Sequence, residues 1–318
     1  MLHLLLVLLG IGLLAAGGEA LIRGALAAAN RLGISPLLCG LVIVGFGTST
    51  PELVVSLDAA INQLPDLSIG NVVGSNICNV LLILGLCALL TPLAVEPMAM
   101  RRDAVVMVAA SVLFLLLAWD GTLGRSAGVM NLACLLAYLV WAYRSEAVHG
   151  APAGAVHVAE AEELSALPSS RLLTTLAIIA GLALLIGGSR VLIMGAVGIA
   201  EDFDVSEAII GLTIVAVGTS LPELTVSVMA ALRRHADVAV GNILGSNIFN
   251  LLGILGVSAL VRPLSIHSRI LQFDQWVMLG SAVLLVWFLH TGRQLSRSEG
   301  GVLLVGYAAY IGYSLVLG

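Results

Sequence analysis

Apolar residues run along this chain in long unbroken blocks, and the polar residues set inside those blocks occur twice in the same order. Windows of about 20 apolar residues, the length of a bilayer-crossing helix, fall near 2–22, 36–61, 69–92, 104–119, 125–143, 172–198, 207–232, 238–261, 273–290 and 300–317. Segment 40–93 aligns on 211–264 without a gap at an offset of 171, with about 30 of 54 positions identical. Within it GTSTPELVVS (47–56) returns as GTSLPELTVS (218–227), and GNVVGSNICN (70–79) as GNILGSNIFN (241–250). The pattern predicts an all-α polytopic membrane protein: ten transmembrane helices in two five-helix repeats, 1–143 and 172–318, joined by the polar linker 144–171. Five is odd, so the second copy enters the membrane inverted. Inverted repeats place a binding site at the midplane and permit alternating access.

Composition fits that picture. With 59% hydrophobic and 10% charged residues, the chain has more apolar surface than a soluble domain buries. Leu2 to Ile22 reads as a retained first span rather than a removed signal peptide. A net charge of −5 without a basic cluster excludes a nucleic-acid partner. Cys39, Cys78, Cys87 and Cys134 stand singly and read as packing residues, not as a disulfide framework or zinc site. All 14 basic residues are arginine. With the N-terminus outside, ten of them (Arg23, Arg31, Arg101, Arg102, Arg144, Arg171, Arg233, Arg234, Arg293, Arg297) fall on the cytoplasmic side and only Arg125, Arg262 and Arg269 opposite; Arg190 lies within a span. Positive residues favour the inside, so both termini are expected outside and the linker in the cytoplasm. The absence of lysine, the short loops and the lack of an organelle-targeting segment indicate a prokaryotic plasma (inner) membrane.

The repeated polar residues carry the chemistry. Pro51 and Pro222 lack an N–H, so the carbonyls of Gly47 and Gly218 lose their helical partners and those of Thr48 and Thr219 are loosened. Each break presents bare oxygens beside a carboxylate, Glu52 or Glu223, and an intramembrane acid marks an ion or substrate path. Thr48 and Glu52 share a helical face, as do Thr219 and Glu223. Asn71, Ser75 and Asn79 form one stripe and Asn242, Ser246 and Asn250 its twin. Two facing half-sites make an all-oxygen site for hard cations. Ca²⁺ takes about 6–8 oxygens, and two glutamates neutralise one such ion. No histidine or cysteine falls among the repeated polar positions, which argues against zinc, copper or iron. Two like charges about 5 Å apart repel by about 3 kcal/mol at an effective dielectric of about 20. Cations or protons must therefore load the site, which favours exchange over leak.

These motifs resemble the signature repeats of the calcium/cation antiporter superfamily, which contains the sodium/calcium exchangers, and the match is close to its prokaryotic ten-helix members. The resemblance implies the sodium/calcium exchanger fold, no enzymatic activity and no cofactor, with Ca²⁺ and Na⁺ as transported ions. It implies that Glu52 and Glu223 are central ligands shared by both ions, and that Thr48 and Thr219 give mainly backbone oxygen to Ca²⁺. Ser75 and Ser246 would help form sodium sites, Gly45 and Ala216 would supply carbonyls to Na⁺, and Asn79 and Asn250 would complete the middle. The first and sixth spans resemble the family's sliding gating helices. Some exchangers carry an aspartate where Asn79 or Asn250 stands here, and proton-coupled members keep both glutamates. Proton or potassium coupling therefore remains the alternative to sodium, with the Ser and Asn stripes favouring sodium.

Other polar residues read more plainly. Asn76 and Asn247 read as packing residues. Asp58 reads as a solvated or hydrogen-bonded acid, with a vestibule attractor for cations as the alternative. Glu19 and Arg190 read as helix-end side chains that snorkel, with a gating ion pair as the alternative. Glu201, Asp202, Asp204 and Glu207 form a solvated acidic loop that could concentrate cations. The linker, with His149, His157, Glu160, Glu162 and Glu163, matches no calcium-loop geometry. An intramembrane hydrolase using the two glutamates is opposed by the absence of HExxH or a serine–histidine pairing in the motifs. A non-transporting scaffold is opposed by the acids in both repeats.

Overall fold

The computed structural model describes residues 2–31, 45–94, 97–149, 170–203, 206–232, 234, 236–292 and 294–317. The expectations placed on Cys39, Asp204 and most of the linker lie outside these residues. The described chain groups into ten helical rods: Leu2–Arg31, 45–61, 65–90, Pro97–Leu117, Arg125–His149, Arg171–Phe203, 207–232, 236–261, 270–292 and Arg297–Leu317. Six contain single stretches long and apolar enough to cross a membrane, and the two arms of the seventh, bent by 48° at Ser220, together make another. The fourth and tenth are 21 residues each, about 31 Å at ~1.5 Å per residue.

Several helices outrun their apolar windows. The first continues to Arg31 instead of ending near 22, the fourth begins at Pro97 instead of 104, and the fifth runs to His149, into the segment read as linker. Ala, Leu and Arg dominate the extension of the first helix, and these residues favour helix whether or not lipid surrounds them.

Glycines set the approach of the repeat-equivalent first and sixth helices. A Cβ at Gly10 would lie 2.6 Å from the backbone nitrogen of Leu192, one at Gly17 2.8 Å from that of Leu185, and one at Gly24 2.7 Å from Ile178. Gly181, Gly188 and Gly195, each 171 residues beyond its mate, are equally tight against Leu21, Leu13 and Val7. Only a residue without a side chain lets two membrane helices touch this closely. Residue numbers rise along one helix as they fall along the other. Equivalent helices therefore run antiparallel, and the two five-helix repeats are inverted.

The ends of the bundle repeat the relation. β1 (Leu93–Ala94) pairs antiparallel with β4 (Gln294–Leu295), and β2 (Thr122–Leu123) with β3 (Leu264–Ser265). Leu93 and Leu264 are repeat mates, so the same clip is made twice, each time between the two repeats. The turns after the second and seventh helices also match: Gln63 and Arg234, again 171 apart, hold φ of 66° and 64°.

Candidate cation site

The second helix is interrupted between Gly45–Gly47 and Thr50–Ile61, and the seventh between Ala216–Thr219 and Leu221–Leu232. At both breaks a serine, Ser49 or Ser220, leaves helical geometry at nearly the same dihedrals, φ −82° with ψ 11° and 10°. Pro51 then falls in the first turn of the new helix, where its missing N–H leaves no bond unmade. Glu52 and Glu223 also lie in first turns, against the positive end of a half-helix, which favours a carboxylate.

The two breaks face each other and exchange bonds. Ser49 Oγ makes no capping bond to its own helix and donates to Glu223 Oε1 at 2.7 Å. Ser220 Oγ donates to Glu52 Oε1 at 2.9 Å. A second reciprocal pair lies behind the first: Thr219 Oγ1 donates to Asn71 Oδ1 at 3.0 Å, and Thr48 Oγ1 to Asn242 Oδ1 at 3.3 Å. Each asparagine is oriented in turn by its amide, Asn71 Nδ2 donating to Ser56 Oγ at 2.9 Å and Asn242 Nδ2 to Ser227 Oγ at 3.0 Å. Every bond has a twin 171 residues away.

Symmetry is broken closer to the centre. Ser75 Oγ donates across the repeats to the carbonyl of Ala216 at 3.4 Å, whereas its mate Ser246 donates within its own repeat to Glu223 Oε1 at 3.4 Å and lies 3.5 Å from Thr48 Oγ1. The Ala216 carbonyl also lies 3.2 Å from Thr219 Oγ1. Gly45, the mate of Ala216, opens the described part of the second helix. Asn79 and Asn250 both stand second in π-helical stretches, Cys78–Leu84 and Phe249–Ile254, and such distortions concentrate at functional sites.

Glu52, Glu223, Asn79 and Asn250 are fully buried. Glu52 Oε2, Glu223 Oε2, Asn79 Oδ1 and both polar atoms of Asn250 have no hydrogen-bond partner among the described residues. Buried polar atoms are ordinarily paired, so these four oxygens keep acceptor capacity that the described residues do not use. Among the described residues no group of three or more His, Cys, Asp or Glu side chains converges on a metal position. The site offers two acids, and its remaining capacity is amide, hydroxyl and carbonyl oxygen, the donor set of a hard cation.

One residue pair at the centre was not singled out in the sequence, and another was read only as packing. Ser49 and Ser220 carry the cross-repeat bonds, and their only signal is the GTS identity in both copies. Asn247, read as packing, accepts from Asn79 Nδ2 at 2.9 Å. Elsewhere Asp58 is the hydrogen-bonded acid expected, whereas Glu201 and Asp202 close the sixth helix and do not lie in a loop. Asp58 accepts from Ser189 Oγ at 3.1 Å and Asn62 Nδ2 at 2.9 Å. Glu19 pairs with Arg23 on its own helix, and Asp202 with His3 at 2.9 Å across the first and sixth helices.

Inverted repeats whose broken helices meet around buried, unpartnered oxygens define a secondary transporter for cations. The chain belongs to the sodium/calcium exchanger family: the family model described as sodium/calcium exchanger protein matches residues 2–144 and 173–316. It is similar to the sodium/calcium exchanger MaX1 of Methanosarcina acetivorans, 32% identical over 343 residues that cover 97% of each chain. It is also similar to the inner membrane protein YrbG of Escherichia coli, 34% identical over 311 residues, 96% of this chain and 94% of that one. Among solved structures, the sodium-calcium exchanger NCX_Mj soaked with 2.5 mM Na⁺ and 0.1 mM Ca²⁺ superposes with a TM-score of 0.67 at 30% identity, covering 98% of both chains. The chain is a multi-pass membrane cation antiporter and not an enzyme, which removes the hydrolase reading.

Proposed function

We propose that this antiporter exchanges Ca²⁺ for Na⁺ by alternating access, with Glu52 and Glu223 as the central ligands of a midplane site. The observation that carries the reading is the reciprocal tie between the repeats: each glutamate receives a serine hydroxyl from the opposite repeat on Oε1 while its Oε2 has no partner among the described residues. Two carboxylate oxygens, the amide oxygens of Asn79 and Asn250 and the loosened carbonyls at Thr48 and Thr219 approach the ~6–8 oxygens that Ca²⁺ requires. Ser75, Ser246, Gly45 and Ala216 supply the hydroxyls and carbonyls for Na⁺. Two acids balance one Ca²⁺, and without cations or protons they are a buried pair of like charges that resists crossing the membrane. Exchange follows from that cost.

The halves 1–143 and 172–318 work as the two inverted units, with the intervening segment cytoplasmic and both termini outside. The arginine asymmetry supports this orientation. Similarity to YrbG, an inner membrane protein, supports a prokaryotic plasma membrane. The test is ⁴⁵Ca²⁺ uptake into proteoliposomes loaded with Na⁺ and diluted into Na⁺-free buffer. The expected result is uptake that requires internal Na⁺ and disappears in Glu52→Gln and Glu223→Gln. Uptake driven by a pH or K⁺ gradient and indifferent to Na⁺ overturns the coupling ion. Full activity in either glutamine variant overturns the site.

A further inference from the structure

The broken symmetry around Asn79 and Asn250 has a regular form. Asn79 Nδ2 donates to Asn247 Oδ1 at 2.9 Å. The orientation of Asn247 is fixed by its own amide nitrogen, which donates to the carbonyl of Asn76 at 3.4 Å and lies 3.5 Å from Met107 Sδ on the fourth helix. Every participant has a mate 171 residues away: Asn250 for Asn79, Asn76 for Asn247, and Met278 for Met107. The mirror bond, Asn250 Nδ2 to Asn76 Oδ1, is not made. Its two atoms are both buried and without a partner among the described residues. Asn76 instead turns back on its own helix and donates to the Val72 carbonyl at 2.8 Å. The structure thus contains one closed clamp and, in its mate, the separated donor and acceptor of a second.

We propose that Asn247 and Asn76 are alternating positioning residues, a deepening that rests on the alternating-access exchange described above. Asn247 holds the ligand Asn79 in the conformation seen here. When the protein opens to the other side, Asn76 swings from Val72 to hold Asn250, with Met278 taking the place of Met107, and Asn247 returns to its own helix. Inverted repeats reach their second state by exchanging local conformations, so a bond present in one copy is expected in the other. One hydrogen bond breaks as its twin forms, which keeps the two states close in free energy, as an exchanger that works in both directions requires.

The prediction is a pair of opposite shifts. Loss of Asn247 disfavours the state seen here, and loss of Asn76 disfavours its counterpart. The half-saturating Ca²⁺ concentration for exchange is measured at each membrane face in right-side-out and inside-out vesicles carrying Asn247→Ala, Asn76→Ala or both. The ratio of the two values is expected to move about fivefold in opposite directions in the single variants and to return toward wild type in the double variant. A merely structural role lowers activity without such opposed sidedness. Ratios that move in the same direction, or that stay within about twofold of wild type in both, overturn the proposal. If the alanine variants do not accumulate, Asn247→Ser and Asn76→Ser are read by the same criterion. Wild-type vesicles that show no gradient-driven Ca²⁺ exchange overturn the functional reading itself, whereas a working wild type with unshifted variants overturns only the clamps.

Discussion

Removing one hydroxyl, in Ser220→Ala, tests the tie between the repeats most directly. Ser220 Oγ lies 2.9 Å from Glu52 Oε1, and both residues are at most 1% exposed, so no bulk water replaces the lost donor. A hydrogen bond to a charged group contributes about 1.5–3 kcal/mol net, and a buried acceptor left unpaired loses a similar amount. With a cation on Oε2, Oε1 still depends on the serine, so the loss falls on the loaded state. At ~1.36 kcal/mol per decade the Ca²⁺ affinity should fall roughly 10- to 150-fold. Ser49→Ala, which removes the 2.7 Å bond to Glu223, should cause a loss of the same order. The assay is ⁴⁵Ca²⁺ binding to purified protein in detergent, with exchange at fixed Na⁺ as a second readout. If both alanine variants bind Ca²⁺ within about twofold of wild type, the charge-assisted bonds do not hold the carboxylates for the ion and the reasoning fails.

Two further predictions concern stability. A Cβ at Gly74 would lie 2.5 Å from the Leu212 carbonyl oxygen and 2.7 Å from its Cα, so Gly74→Ala should destabilise by about 1–3 kcal/mol and lower the thermal unfolding midpoint in detergent. Gly280→Ala, with nothing within 4 Å of the added methyl, should leave that midpoint nearly unchanged; equal effects would refute the close approach of the third and seventh helices. Asp274 is fully buried and held by Arg269 Nε at 3.3 Å and Tyr310 Oη at 3.1 Å. Arg269→Ala strands that acid and should cost about 3 kcal/mol or more, while Asp274→Asn should cost less. The same unfolding measurement separates them, and a milder loss for Arg269→Ala would show that the pair is not what satisfies the acid.

The repeat and its inversion were legible in the sequence because polar residues in a membrane are costly and their positions stand out against an apolar background. Glu52 and Glu223, the glycines and the asparagine stripes could be located by reading alone, and an odd number of spans per copy dictates opposite orientation. Helix ends were read less well, since lipid-facing hydrophobicity stops at the interface while the hydrogen-bonded helix continues to Arg31 or His149. Ser49 and Ser220 were passed over because a serine beside a helix start is equally at home capping its own backbone; its distant partner, Glu223 or Glu52, is visible only once the two breaks face each other.

The chain by itself determined which side chains are present in each half, and it determined them almost identically. It could not determine that Asn79 is held while Asn250 has no partner among the described residues, or that Ser75 reaches across the repeats while Ser246 stays within its own. Identical residues acquire different partners only through the tertiary structure, because two copies packed around one site cannot both occupy the same side of it at once. That asymmetry between equal sequences is what the alternation proposed above rests on.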